Sequence, residues 1–411
     1  MGEILFLAHR IPFPPDRGDK IRSHHVLRGL AALAPVHVAT FADDSHDLAQ
    51  EAELAAVARS YCLIRRRKHE AVAGVQALLG GRPVSLDAFH HRALARYVET
   101  LLKTRPISAI YVFSGQMGQY VPHDFAGRVI ADFVDVDSAK FDAYAEAGKG
   151  PMALVYRREG RLLRAEEARL AGRADVSVLI SEREADLFRA RLPEAVRLSA
   201  RVAVMANGMD AASFDPARVA PEPKMLACSG PRLIFTGQMD YAPNAEAALR
   251  VIERILPCLR RTVPGATFHV VGRNPVAALL AHDGKNGVYV WGRVDDIRPW
   301  LRAADGAVVP LSIARGVQNK VLEAMAMALP VVLTSRAAIG IDAVDCTHFN
   351  VADDDDAIVA ALVALAADKA AAATAGQAAR RWIVERASWR AALSALPALV
   401  GMGEGPVRDA A

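Results

Sequence analysis

The sequence predicts an α/β chain of two doubly wound domains in tandem, each a parallel sheet with helices on both faces. Three observations carry this reading. At 411 residues the chain exceeds a single typical core. Short β-branched runs alternate with helical patterns in both halves, as expected of parallel strands buried on both faces. The halves are separated by an irregular stretch at 205–230, which opens on the turn signal Asn207-Gly208-Met209-Asp210 and continues through Pro216, Pro221, Pro223 and Pro231.

Taken in order, the first half offers strands at Ile4–Leu7, Val36–Phe41, Ala109–Phe113, Val129–Val134 and Val176–Ile180. The opening Met1-Gly2-Glu3-Ile4 reads as the approach to a buried strand, too short and too early in charge for a signal peptide. The loop Pro12 to Lys20 follows, with Gly18 at the start of a helix that holds Ile21, Val26 and Leu27. Asp132, Asp135 and Asp137 gather at the end of the fourth run, and alternation puts Asp135 and Asp137 on one side while the strand lasts. One of them is a candidate general base or sugar-hydroxyl acceptor; alternatively Asp137 or Ser138 caps the next helix. The second half offers Leu233–Phe235, Phe268–Val271, Val288–Val290, Ala307–Pro310 and Val331–Leu333, and then a helix candidate from Arg380 through Trp389 to about Leu396.

Composition narrows the function. A net charge of +4 is too small to argue for nucleic acid. Four separated cysteines, with no Cys-x-x-Cys pair, read as reduced thiols in a cytoplasmic protein. The twelve histidines show no metal-ligand spacing. Gly-x-Gly-x-x-Gly and Gly-Lys-Ser/Thr are absent, which disfavours a dinucleotide dehydrogenase and a P-loop kinase. No run approaches the roughly 18 apolar residues that span a bilayer. The basic segment 65–105 combines Arg65-Arg66-Arg67-Lys68 with a helix candidate Ala88–Lys103 that mixes Phe89, Leu94, Val98 and Leu101 with His90, His91, Arg92 and Arg96. It is either a basic, partly apolar surface suited to anionic lipid or a solvated face over ordinary core positions.

The densest motif is Arg315 to Pro330, a loop with Gly316 leading into a helix whose first turn carries Asn319, Lys320 and Glu323. Free amides and partial positive charge at a helix start suit a phosphate, and Lys320 adds a full charge there. Glu323, one turn on, can accept from two vicinal ribose hydroxyls. The other reading is a solvated Lys–Glu pair on an ordinary helix. Gly237 with Gln238 and Asn244, Gly272 with Arg273, and Gly292 with Arg293 and Val294 each end a strand of the second half. Their repetition on one rim points to a shared pocket beyond the carboxyl ends of the strands, expected in the cleft between the domains.

These motifs, in this order, make the whole chain similar to the two-domain glycosyltransferases of the GT-B fold, in the large retaining group numbered family four. Within it the chain resembles the sugar transferases associated with bacterial exopolysaccharide and exosortase (PEP-CTERM) loci. The carrying residues are Ile11-Pro12-Phe13-Pro14-Pro15 with Gly18-Asp19-Lys20, Asp132 to Ser138, Asn207 to Asp210, Phe235 to Asn244, and Gly316 to Ala326.

The resemblance implies two Rossmann-like domains. These are an acceptor-binding domain over 1–205 and a nucleotide-sugar donor domain over 206–385, followed by a C-terminal helix that crosses back towards the first domain, and a tail, over 386–411. It implies that Glu323 binds the donor ribose and that Lys320, Asn319 and Gly316 hold the diphosphate. Gly237, Gln238, Asn244, Gly272, Arg273, Arg293 and Val294 flank the donor, and Gly18 lies under its phosphate or the acceptor. Lys320, Arg315, Asp135 and Asp137 are the catalytic candidates. No metal or cofactor is expected beyond the nucleotide-diphosphate-sugar, and domain closure limits hydrolysis. The partners implied are a nucleotide-sugar and a saccharide or polyprenyl-linked saccharide acceptor. The expected location is the cytoplasm, with peripheral contact at the cytoplasmic face of the inner membrane as the further expectation. Arg315 stands where the wider family has a Glu, Gln238 and Asn244 where it has Arg and Lys, and Asp135 where it has a His. A nucleotide-sugar epimerase or hydrolase of the same fold, and a non-catalytic nucleotide-sugar-binding subunit, are the alternative functions.

Overall fold

A computed structural model describes residues 2–66, 81–148, 150–314 and 316–403. Arg67, Lys68 and the rest of 67–80, and Arg315, lie outside the described residues. The chain forms two compact units, Met1–Gly208 with Ala392–Ala411, and Met209–Ala391.

The first unit holds a seven-stranded parallel sheet in the order β3-β2-β1-β4-β5-β6-β7. Its strands are β1 Glu3–Ala8, β2 Val36–Ala42, β3 Ser60–Arg65, β4 Ile107–Phe113, β5 Arg128–Val134, β6 Val176–Leu179 and β7 Val202–Val204. Alternate residues feed two cores, one on each face. Leu5, Leu7, Ile110 and Val112 belong to one cluster, and Ile4, Phe6, Tyr111 and Phe113 to the other. The segment after Ala392 packs in this unit, with Leu396 beside Gly29 and Leu399 fully buried.

The second unit holds six parallel strands in the order β10-β9-β8-β11-β12-β13. They are β8 Arg232–Thr236, β9 Thr267–Val271, β10 Val288–Gly292, β11 Gly306–Val309, β12 Val331–Leu333 and β13 Asn350–Val351. Both sheets follow the doubly wound order 3-2-1-4-5-6, which reverses direction beside the first strand. Ligands of such sheets bind where the order reverses, outside the carboxyl ends. In the second unit that point lies between β8 and β11.

Several local expectations change. The helix expected at Ala88–Lys103 is two helices, Val84–Ala88 and Arg92–Thr104. His91 stops the run, because its Nδ1 accepts from the amide of Ala93 at 3.2 Å and caps the second helix. Phe89, Leu94, Val98 and Leu101 are all buried in the core, so they do not form the apolar surface considered for 65–105. The C-terminal helix candidate breaks at Ser388, where Met209 pairs with the chain. Among the described residues no single helix is long and apolar enough to cross a membrane, although the bent pair Asp355–Ala367 and Lys369–Ala387 meets the length and composition test together.

Candidate functional site

The carboxyl rim of the second sheet is built from glycine. Gly237 follows β8, Gly272 follows β9 and Gly292 ends β10, and the ladder continues through them. Gly237 donates its amide to Val271 at 3.1 Å, and Gly272 donates to Gly292 at 2.8 Å. A Cβ on Gly272 would lie 1.6 Å from the Gly237 carbonyl oxygen, so only glycine fits. A Cβ on Gly237 would fall 2.9 Å from Asn244 Nδ2 and 3.1 Å from the Lys320 Nζ, so glycine leaves room for these two side chains.

Lys320 comes to that spot from the helix Asn319–Ala326. Its Nζ donates to Asn244 Oδ1 at 2.5 Å and lies 4.4 Å from the centre of the Phe235 ring. Asn244 is buried in the first turn of the helix Ala242–Arg250, and its Nδ2 donates to the Gln238 carbonyl at 2.9 Å. Arg273 Nη2 donates to Gln238 Oε1 at 2.7 Å. Gly237, Gln238, Asn244, Gly272, Arg273 and Lys320 are therefore brought together at the point where the strand order reverses.

Burial pushes Lys320 down to about 8, opposed by the charge of Glu323. Burial also pushes Glu323 up to about 7, opposed by Lys320. The Glu323 carboxylate finds no hydrogen-bond donor among the described residues. The amides of Asn319 and Lys320 likewise find no acceptor there, as expected of a helix start. Among the described residues the arrangement thus offers a cation, two helix-start amides with no acceptor and a carboxylate with no donor within one helical turn. That set can bind a phosphate and a diol. Gly316 is exposed in a left-handed conformation with φ of 71°, on the loop before this helix. Arg293 is exposed just past β10, and Val294 packs against the core.

The first unit places its candidates differently. β5 ends at Val134, whose φ of 70° turns the chain, so alternation does not extend to Asp135 and Asp137. Both instead pair with Lys140, at 2.9 and 3.1 Å. Neither Asp137 nor Ser138 caps the helix Asp137–Ala147, since Val136 holds that position. Ser138 is buried and donates its hydroxyl to Glu167 at 2.5 Å. Gly18 opens the helix Gly18–Leu33, and a Cβ there would meet nothing within 4 Å.

Sequence reasoning missed a buried network in this unit. Arg22 donates from Nε and Nη2 to Asp132 at 3.1 and 3.2 Å, and from Nη1 to Asn207 at 2.9 Å. Tyr111 donates its hydroxyl to Asp132 at 2.7 Å. Asp132 was legible as an acid on a strand; its partner 110 residues away was not. Asp44, His46 and Asp47 are the group of metal-ligating type among the described residues. Their oxygens already have structural work: Asp47 pairs with buried Lys20, and Asp44 caps a short helix. A cavity of about 760 Å³ lies at the opposite end of the second sheet, lined by Arg232, Leu233, Asp305 and Leu362 among others, and is not part of the candidate site.

The whole-chain similarity to solved structures decides the architecture. The chain matches Anabaena HepE in complex with UDP and glucose at 14% identity, covering 98% of this chain and 100% of that one, with a TM-score of 0.57. It matches the sucrose-phosphate synthase of Thermosynechococcus elongatus at 16% identity, 97% and 98% coverage and a TM-score of 0.56. It matches WaaG, a glycosyltransferase involved in lipopolysaccharide biosynthesis, at 15% identity, 97% and 100% coverage and a TM-score of 0.53. The fold is GT-B. Residues 230–368 also match the model of the family described as glycosyl transferases group 1. This range contains the glycine rim, Asn244, Lys320 and Glu323. No curated protein matches the sequence.

Proposed function

We propose that this GT-B chain is a retaining hexosyl or other glycosyltransferase. It moves a sugar from a nucleotide-diphosphate-sugar to a saccharide or lipid-linked saccharide acceptor in exopolysaccharide biosynthesis, on the cytoplasmic side of the membrane. The observation that carries this is the turn holding Lys320 and Glu323 beside the open glycine rim, inside the segment matched to glycosyl transferases group 1. Glu323 accepts the donor's ribose hydroxyls, which explains an otherwise costly half-buried carboxylate. Lys320, with the helix amides, stabilises the charge that grows on the diphosphate as the glycosidic bond breaks. Gln238, Arg273, Arg293 and Val294 border the donor, and Gly18, Asp135 and Asp137 belong to the acceptor-binding unit. The chemistry needs no metal, because the cations and helix amides do that work.

Thermal shift and calorimetry against UDP-, GDP- and TDP-sugars test the reading. At least one donor is expected to raise Tm at concentrations above its Kd. No binding across the panel removes the proposal. Arg315 in place of the family's Glu favours one rival, a non-catalytic binding subunit. Donor binding without turnover over a set of saccharide acceptors would select that rival. Full-rate release of free sugar would select a hydrolase.

A further inference from the structure

The helical hairpin of the first unit, Asp137–Ala147 followed by Pro151–Arg173, is locked at one end and uncovered at the other. At its base, Glu167 accepts from the Ser138 amide at 2.9 Å and from its hydroxyl at 2.5 Å. Asp142 pairs with Arg164 at 2.8 Å and with Arg191 at 2.5 Å. Gly160 lets the helices meet there, since a Cβ would lie 2.6 Å from Asp142 Oδ1.

The far end has no such cover. Tyr144 is 54% exposed, Met152 52%, Leu154 66% and Val155 39%. Phe141 and Tyr156 set their rings 5.9 and 5.8 Å from Tyr144, which makes one aromatic and aliphatic cluster. A cluster of this kind in water calls for a partner.

The charges beside it are mainly positive. Arg157 and Arg161 are exposed and make no ion pair among the described residues. Glu159 between them is buried and accepts from the amides of Val84 and Ser85. Glu146 is the exposed acid at this end. Tyrosine rings and aliphatic side chains flanked by arginines match the chemistry of a lipid interface with anionic head groups.

We propose that this end of the hairpin docks on an anionic lipid bilayer. The surface lies outside segment 65–105, whose described apolar residues face the core. The proposal deepens the reading of a lipid-linked acceptor but does not depend on the donor site. Docking here would hold the carboxyl end of β5, with Asp135 and Asp137, near a lipid-borne sugar.

Co-sedimentation of the full chain with vesicles tests it. Binding is expected with phosphatidylglycerol–phosphatidylethanolamine vesicles, weakened by salt, and not with phosphatidylcholine alone. Each arginine removed should weaken binding roughly fivefold. Arg157→Glu/Arg161→Glu should therefore bind at least tenfold more weakly. Tyr144→Ser/Leu154→Ser should lose binding while keeping the wild-type Tm. Lys320→Ala should bind vesicles as wild type does, so a failed donor site and a failed membrane surface are told apart. The proposal is overturned if the wild type ignores anionic vesicles, or if the hairpin variants bind them unchanged. It is also overturned if the serine variant abolishes self-association while vesicle binding persists.

Discussion

At the scale of single residues, the pair Lys320 and Glu323 sets the pH behaviour. Glu323, held near pH 7 by burial, must be ionised to accept hydroxyl hydrogens. Lys320, held near pH 8 by burial, must be charged to neutralise phosphate. Donor affinity should therefore peak between pH 7 and 8. It should fall below 7 as Glu323 gains a proton, and above 8 as Lys320 loses one, by up to about tenfold per pH unit on either side. Calorimetric Kd values from pH 6 to 9 check this, and in Glu323→Gln the acid limb should vanish. Glu323→Ala should raise the donor Kd by about tenfold or more, the loss expected for a hydrogen bond to a charged group. Lys320→Ala should lower transfer by roughly 100-fold while leaving the fold intact. Equal donor affinity in Glu323→Ala and wild type would remove the ribose assignment.

At the scale of elements, close backbone approach matters more than side-chain chemistry. The rim formed by β8, β9 and β10 depends on Gly272, where an added methyl meets the Gly237 carbonyl at 1.6 Å. Gly272→Ala should cost at least roughly 3 kcal/mol, the upper end of overpacking, and should weaken donor binding with it. Thermal unfolding and calorimetry of one purified variant read both. Most strands were legible because their apolar runs are continuous, as burial on both faces demands. Three were not. β3 is half-buried up to an exposed Arg65, with polar residues interspersed, β7 has three residues, and β13 has two. All lie towards sheet edges, where burial writes the weakest pattern. The break at His91 was hidden for another reason. A histidine can cap a helix through a ring nitrogen, and composition alone does not show when it does.

At the scale of the whole molecule, each unit keeps its own core, and the first is pinned by a buried charge. Arg22 is 1% exposed and Asp132 is fully buried. Removing one partner leaves the other charge uncompensated. Asp132→Ala should cost about 3–5 kcal/mol. Faster hydrogen exchange should appear in β1, β4 and β5, whose strands surround the pair. Unchanged exchange there would mean that Asn207 alone can hold Arg22.

The sequence by itself determined the two parallel sheets, the irregular stretch between the halves, and the helix turn that carries Asn319, Lys320 and Glu323. Periodicity, turn chemistry and helix spacing are local, so a reader of the chain can recover them. Tertiary structure decided which of those residues share an environment. It set Lys320 over Phe235 and against Asn244, 76 residues away, and buried Asp132 on Arg22. It also ended β5 at Val134, which turned Asp135 and Asp137 onto Lys140, and it left the hairpin tip at Tyr144 and Leu154 uncovered. Desolvation and long-range pairing depend on what packs against a residue, and spacing along the chain does not encode that.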